Sequence, residues 1–561
     1  MNKENNENIV LEEHEIEFSY KKSKSNLNIQ FNRIAFIFFI IFIISIIYTI
    51  QLLHLASLNL NNKTQTILSS KTNYRADIVD NNGNYLVKTV STIDIGINPV
   101  EIINKKHLLV MISYIFPNKD IREIEKKIDK KKFFYLEKNI KPEQYKEVML
   151  LGDKSIKSSE RLTRLYPQKN LFSHIIGQID DDNTGISGIE KSFDGELKKI
   201  KEPLKLTVDT DIQFLIREEL VRFQPIFQSK GSAAILMDVN NGNILSMVSL
   251  PDFDLNKRKD IKDVNYINRA TKGVYELGSV FKTFTIAAGL NEGVIEPETE
   301  FKDLPKSLKC AKRPIREYDT KMPTDLTASQ ILIRSGNIGS VRIAQRVGLE
   351  KFPSFLESLG LMSKIKFDIE EVGKPISFRW GKCRLATAAF GHGITTTPLQ
   401  LAKGYSIVTN GGYDITPTLI KKKSPNQKIK ILNNQVSKKL NPILRKIVSS
   451  KDGTANFANI NGYEIGGKTG TAQKSVNGVY SNFKVNTFAA VFPISKPKFV
   501  LIVLLDEPKA NKEYIYYFKD GSGWKHKGNW RNTAGWTSVE VAGKIIEKIG
   551  PILATKYMEV K

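Results

Sequence analysis

Cysteine is nearly missing from this chain: Cys310 and Cys383 are the whole supply in 561 residues. Two thiols exclude a disulfide-built framework. They can pair only with each other, in an oxidising compartment, and the sequence does not decide whether they do. Histidine is also scarce, six residues without ligand spacing. His392 stands in a Gly-His-Gly turn, so no metal and no cofactor is implied. No segment repeats, which excludes solenoid architectures. Acidic residues are outnumbered, 59 Asp and Glu against 84 Lys and Arg, for a net charge of +25. Such a balance suits nucleic acid, an anionic membrane or an anionic polymer. The lysines are spread along the chain rather than gathered on one element, so the excess reads as surface composition and no nucleic-acid partner is expected. Charge is wholly absent between Arg33 and His54.

That last gap is the first positive signal. Residues 34–53 (IAFIFFIIFIISIIYTIQLL) are apolar over a length that matches a bilayer core. The run is too long for a signal peptide, and no small-x-small cleavage site follows it. Lys21, Lys22, Lys24 and Arg33 precede the span, and a neutral stretch follows. The positive-inside rule therefore puts the N-terminus in the cytoplasm and the rest of the chain outside. The length, with 41% apolar residues, predicts two or three domains. The expected boundaries are a cytoplasmic tail at 1–33, a transmembrane helix at 34–53, a mixed α/β pedestal at 54–205 and a larger domain at 206–555.

In the pedestal, Tyr74 to Asp80 predicts a strand turning at Asn82-Gly83. Residues 120–153 predict amphipathic surface helices. In the larger domain, a short strand at Val208-Asp209 and a helix over 211–223 are expected. The hairpin 233–249 follows, then helices from Ser279 to about Leu361, strands at 488–492 and 499–505, and a closing helix at 539–549. Strands, a helical block, then strands and a helix predict an antiparallel sheet with helices packed on it.

Ser279-Val280-Phe281-Lys282 opens an apolar helical stretch. Positions i and i+3 share a helix face, so a hydroxyl and an amine would point the same way, as a nucleophile and its base require. By itself the pattern is common. A second lysine has two readings. Gly462 to Thr469 matches the phosphate-loop pattern G-x4-G-K-[ST], and Asp506 ends an apolar strand as a magnesium-holding acid would. Against an ATPase, no buried strand precedes the loop. Gly470-Thr471-Ala472-Gln473-Lys474 reads as a strand turning at Asn477-Gly478, and the segment lies on the outer side of the membrane. The alternative puts Lys468-Thr469-Gly470 on an edge strand. The lysine then faces a pocket, the glycine makes room for a substrate, and the hydroxyls of Thr469 and Thr471 take a carboxylate. That reading also uses Ser335-Gly336-Asn337, which the ATPase leaves idle.

With these fragments in order, the chain resembles the class B penicillin-binding proteins, from the membrane span to near Ile549. Tyr275-Glu276-Leu277-Gly278, Gly391-His392-Gly393, Thr397-Pro398-Leu399-Gln400 and Gly453-Thr454-Ala455 match as well. So do Tyr74–Gly83 and Gly185–Glu190 in the pedestal. Leu277 departs from the proline of many members, and 514–531 reads as an inserted surface loop near the site rim. The resemblance implies an α+β fold: one transmembrane helix, a mixed α/β pedestal (dimerisation-like), and a transpeptidase domain like the serine β-lactamases, an antiparallel sheet flanked by helices. It implies a peptidoglycan D,D-transpeptidase of the septal, cell-division type, anchored in the inner (cytoplasmic) membrane. An elongation-type enzyme and a non-catalytic division scaffold are the alternatives beside the ATPase. Ser279 would be the nucleophile and Lys282 the base, provided that burial and a nearby cation, Lys468, depress its pKa. Ser335 would relay a proton, and Asn337 would hold the substrate amide. Amides of Ser279 and Thr471 would form an oxyanion hole, and Thr469, Gly470 and Thr471 would bind substrate. The implied partners are stem peptides ending in D-Ala-D-Ala, β-lactams, a membrane-embedded glycosyltransferase and other division proteins.

Overall fold

The computed structural model describes residues 26–57, 74–257, 266–310, 314–422, 429–476, 479–517, 523–525 and 532–558. The chain divides into two compact units, Met1–Thr72 and Asn73–Lys561. In the first, a single helix α1 (Asn26–Ser57) contains the apolar window Ala35–Leu53, long enough to cross a bilayer. Its large side chains, such as Phe38 and Phe42, are exposed, as a lipid-facing helix requires. The tail expected at 1–25 lies outside the described residues.

The second unit begins with a sheet ordered β3-β2-β1-β5, with β4 also paired to β2. These strands are β1 (Ile78–Val79), β2 (Tyr85–Ile97), β3 (Phe134–Glu137), β4 (Ile156–Leu165) and β5 (Leu204–Lys205). The predicted turn joins β1 to β2, and Gly83 adopts φ 93° there. The stretch 120–153 is not wholly helical. Helices α2 (Lys105–Ile115), α3 (Ile121–Asp129) and α4 (Pro142–Leu150) surround β3, whose Leu136 is buried in a small core with Ile95, Leu108, Ile112 and Ile124. Long-range pairing with β2 overrides the local charge pattern.

The base of this region is held by charge. The Arg75 guanidinium pairs with the Glu190 carboxylate, and Arg164 Nη2 approaches Glu190 Oε1 at 2.8 Å. Arg164 Nη1 also donates to the Ala76 carbonyl (2.9 Å). All three side chains are buried. Arg75 also pairs with Asp194 (2.6 Å), so removing Glu190 leaves Arg164 as the buried guanidinium without a carboxylate, and Glu190→Ala is expected to cost about 3 kcal/mol. Urea unfolding of the detergent-solubilised chain measures this.

A five-stranded antiparallel sheet follows, ordered β8-β9-β10-β6-β7. Helix α5 (Thr210–Phe227) precedes β6 (Gly231–Asp238) and β7 (Ile244–Leu250). No strand forms at Val208-Asp209. The Asp209 carboxylate instead caps α5 by accepting from the Asp211 and Ile212 amides (3.0 and 3.2 Å). Then come α6 (Lys282–Asn291), α7 (Asn337–Val347), α8 (Lys382–Ala388), α9 (Pro398–Thr409), α10 (Asn434–Ser449), β8 (Gly466–Val476), β9 (Val479–Phe492), β10 (Phe499–Asp506) and α11 (Ser538–Tyr557). Strands β6 and β10 are buried along their whole length, as their largely apolar sequences lead one to expect. Helices α5 and α11 pack together on the sheet, and α9, α10 and α6 form a second helical layer. One hydrophobic core runs without interruption from Ala76 to Leu553, so the packing does not break at residue 205.

Of the expected loop at 514–531, residues 518–522 and 526–531 lie outside the described residues. Its base is only partly surface. Tyr516 is buried against Phe457 and Trp536, with ring centroids 4.9 and 5.3 Å away, and donates to the Trp536 carbonyl (2.6 Å).

Candidate active site

Ser279 lies on a 3₁₀ turn, Gly278–Phe281, that runs directly into α6 at Lys282. The turn is pinned from behind: Tyr405, buried on α9, donates from its hydroxyl to the Val280 carbonyl (2.9 Å). Three glycines let backbones meet around it. A Cβ on Gly470 would lie 2.1 Å from the Leu277 carbonyl oxygen, and one on Gly278 would lie 2.7 Å from that of Thr471. Gly470 therefore has no side chain because β8 packs on the serine turn, a different reason from the substrate clearance that the sequence suggested. The tightest contact is Gly391, with φ 81° and a built Cβ only 1.9 Å from the Gly278 carbonyl oxygen. Gly391→Ala must push the serine turn aside. A roughly ten- to hundredfold loss of penicillin acylation is expected, with a destabilisation of about 1–3 kcal/mol. Stopped-flow acylation and thermal unfolding read the two effects.

Lys282 and Lys468 converge on one hydroxyl. Ser335 Oγ lies 3.1 Å from Lys282 Nζ and 2.9 Å from Lys468 Nζ. Lys282 Nζ also donates to Asn337 Oδ1 (2.7 Å), and Asn337 Nδ2 donates to the Arg316 carbonyl (2.7 Å). Both ends of the Asn337 amide are thus engaged within the protein. Ser335 takes φ 62°, a left-handed conformation that costs energy for a residue with a Cβ. Neither the Ser335 nor the Asn337 side chain caps the start of α7. That task falls to Glu317, whose carboxylate accepts from the Asn337 and Ile338 amides (2.6 and 2.8 Å) at the start of α7. The Ser279 hydroxyl, partly exposed, makes no hydrogen bond among the described residues.

Both amines are buried, Lys282 at 1% exposure and Lys468 at 0%. Neither has an ion pair with a carboxylate among the described residues. Burial pushes Lys282 down to about 7, against an opposing pull from Glu317. Burial also drives Lys468 well below its ordinary value, and the charge of Lys282 adds to this. From sequence, burial and the charge of Lys468 are both expected to depress Lys282. In the structure desolvation is the larger cause, and the repulsion weighs on Lys468.

Lys468 sits on β8, the edge strand of the sheet. The strand continues to Val476, and no helix begins at Lys468-Thr469 to cradle a phosphate. Asp506 is committed to Lys474 (2.8 Å) and Arg269 (3.4 Å). The phosphate-loop reading of Gly462 to Thr469 fails on both counts. The Asn477-Gly478 turn lies outside the described residues. Along β8, the Thr469 and Thr454 hydroxyls are 2.8 Å apart, and Thr471 Oγ1 accepts from the Ala534 amide (2.9 Å). The structure thus adds Glu317 and Thr454 to the residues singled out from sequence. Thr454 had a signal, the Gly453-Thr454-Ala455 match. Glu317, in irregular chain 18 residues before Ser335, had none.

A serine turn, a second serine bridged by two buried lysines, and an edge strand over them define the class: an active-serine fold built on an antiparallel sheet. The model of the penicillin binding protein transpeptidase domain matches residues 232–518, and that of the penicillin-binding protein dimerisation domain matches residues 70–225. The chain is 30% identical over 499 residues to the probable peptidoglycan D,D-transpeptidase FtsI of Caulobacter vibrioides, covering 86% of this chain and 82% of that one. It is 29% identical over 496 residues to stage V sporulation protein D of Bacillus subtilis, covering 78% and 75%. A crystal structure of Mycobacterium penicillin binding protein 3, complexed with aztreonam, shares the fold with a TM-score of 0.64 at 21% identity, over 85% of this chain and 96% of that one. The chain belongs to the penicillin-binding protein transpeptidase family.

Proposed function

We propose that this chain is a peptidoglycan D,D-transpeptidase acting through an acyl-enzyme on Ser279. The observation that carries the proposal is the Ser335 hydroxyl, held between two desolvated amines beside the serine turn. Ser279 Oγ attacks the carbonyl carbon of the penultimate D-alanine, and the neutral Lys282 amine takes its proton. The amides of Ser279 and Thr471 stabilise the oxyanion; β8 is an edge strand, paired on one side only among the described residues. The C–N bond to the terminal D-alanine breaks, and its nitrogen receives a proton through Ser335 and Lys468. An ester on Ser279 remains. The amine of a second stem peptide attacks that ester, gives up its proton to the same relay and leaves as the cross-linked amide, restoring Ser279. Thr469 and Thr471 bind the terminal carboxylate. A β-lactam presents its ring carbonyl to the same attack.

The anchor is α1, single-pass, in the inner membrane with the N-terminus cytoplasmic. The basic residues before the span support this orientation, as does the Cys310–Cys383 disulfide, with Cα atoms 5.5 Å apart, because disulfides persist in oxidising compartments. Relatives named peptidoglycan D,D-transpeptidase FtsI support the septal role, in which a glycosyltransferase and other division proteins are partners. Mass spectrometry of the penicillin-treated protein tests the proposal: the adduct is expected on the peptide containing Ser279, and an adduct elsewhere, or none on folded protein, sinks it.

A further inference from the structure

The part of the site with no counterpart in the sequence argument is the small hairpin that ends at Glu317. Its strands, Ser307–Leu308 and Ile315–Arg316, are two residues each. A hairpin of that size does not hold itself together in water. It is secured by a minor core of Cys310, Ile315, Val341 and Ala386, separate from the main one, and by the disulfide from Cys310 to Cys383 on α8. Two consecutive residues at the hairpin's end then grip the site. The Arg316 carbonyl accepts from Asn337 Nδ2, and the Glu317 carboxylate accepts from the Asn337 and Ile338 amides. Asn337 is the residue whose Oδ1 holds the Lys282 amine. A continuous chain of covalent and hydrogen bonds thus runs from the disulfide through Glu317 and Asn337 to Lys282.

We propose that Glu317 is a positioning residue for acylation of Ser279, and that the Cys310–Cys383 disulfide acts on the reaction by keeping Glu317 under α7. The inference rests on the transpeptidase reading above. Glu317 makes no hydrogen bond to Ser279 among the described residues. It orients Asn337, and through it Lys282, and among the described residues it is the one carboxylate that bears on the Lys282 charge. The charged groups facing the Lys282 amine are Lys468 from β8 and Glu317 from the hairpin. An anion favours the protonated amine, so its removal lets Lys282 lose its proton at lower pH.

The test is the second-order rate constant of penicillin acylation against pH, on the full chain in detergent. Glu317→Gln is expected to lower the plateau roughly tenfold and to move the acid limb down by about half a pH unit. The double substitution Cys310→Ser with Cys383→Ser is expected to change both in the same directions, as is reduction with dithiothreitol. Placed in the Glu317→Gln background, the cysteine substitutions should cost nothing further, because both act through one contact. A lowered plateau with an unmoved limb would mean that Glu317 is structural only and would overturn the inference. So would a Glu317→Gln protein that matches wild type, or cysteine losses that multiply with that of Glu317→Gln. Glu317→Gln alone suffices if the cysteine variant does not fold. A wild-type chain that penicillin does not label sinks the transpeptidase reading, whereas a labelled wild type with an indifferent Glu317→Gln sinks only this inference.

Discussion

A fluorescent penicillin is expected to label the wild-type chain covalently and to leave Ser279→Ala unlabelled, a fall on the order of 10⁴-fold or more in acylation rate. The expectation is sharp because the substitution removes one atom from a partly exposed position. The Ser279 hydroxyl makes no hydrogen bond among the described residues, so no partner is stranded by its loss. A surface change of that kind ordinarily alters stability by about 0.5 kcal/mol or less. The variant should therefore unfold at the parent's temperature while losing all label. Retained label in Ser279→Ala would place the nucleophile elsewhere. In cells, a chain acting as a scaffold would tolerate Ser279→Ala, whereas an essential cross-linking enzyme would not.

The second large effect concerns Lys282. With this amine held at about 7, wild-type acylation should rise as pH increases through that value, because in the proposed mechanism only the neutral amine takes the Ser279 proton. Lys282→Met is expected to lower the rate about 10²–10⁴-fold and to abolish this limb of the profile. Stability should respond quite differently. The unfolded chain keeps the lysine proton up to about pH 10.4, the folded chain only to about 7. Between those values the unfolded state binds more protons, so this lysine makes folding more favourable as pH rises through the window and least favourable below it. Methionine fills a similar volume without that penalty. The hydrogen bonds to Asn337 and Ser335 are lost, which offsets the gain. The unfolding temperature at pH 7 should stay within a few degrees of the parent. A rate that falls while folding is preserved separates a catalytic amine from a structural one. An acid limb that persists unchanged in Lys282→Met would assign the proton acceptor elsewhere.

The contrast between two lysines explains how much of the site was legible. Ser279 and Lys282 are neighbours on one helical turn, so their juxtaposition is a local property that spacing reveals. Lys468 is far along the chain, and its residues satisfied two motifs at once. What separates a phosphate loop from an edge strand is the element that follows, and here β8 continues to Val476. The run of alternating small and polar residues after Lys468 suggested this, but the pairing of β8 with β9 across Phe488 and Val491 establishes it. Val208-Asp209 shows the opposite case. A short polar-apolar stretch looked like a strand, yet the Asp209 carboxylate found two amides to cap and the helix took precedence. In the pedestal, Phe134–Glu137 became a strand within a lysine-rich segment because β2 offered a partner far away in sequence.

Sequence by itself determined the properties that depend on neighbours along the chain: the uncharged apolar run that makes α1, the i, i+3 pair that starts α6, the turn at Gly83, and the order of the three motifs that identify the family. Tertiary structure decided whatever depends on groups that meet through space. It brought Lys282 and Lys468 onto one hydroxyl, and made burial, more than their mutual charge, the cause of the lowered Lys282 pKa. It gave Gly470 its reason in the serine turn, joined Cys310 to Cys383, and put Glu317 under α7. The physical reason is the same throughout: dihedral preferences and apolar periodicity act over a few residues, whereas desolvation, steric exclusion and Coulomb interactions depend only on distance in the folded chain.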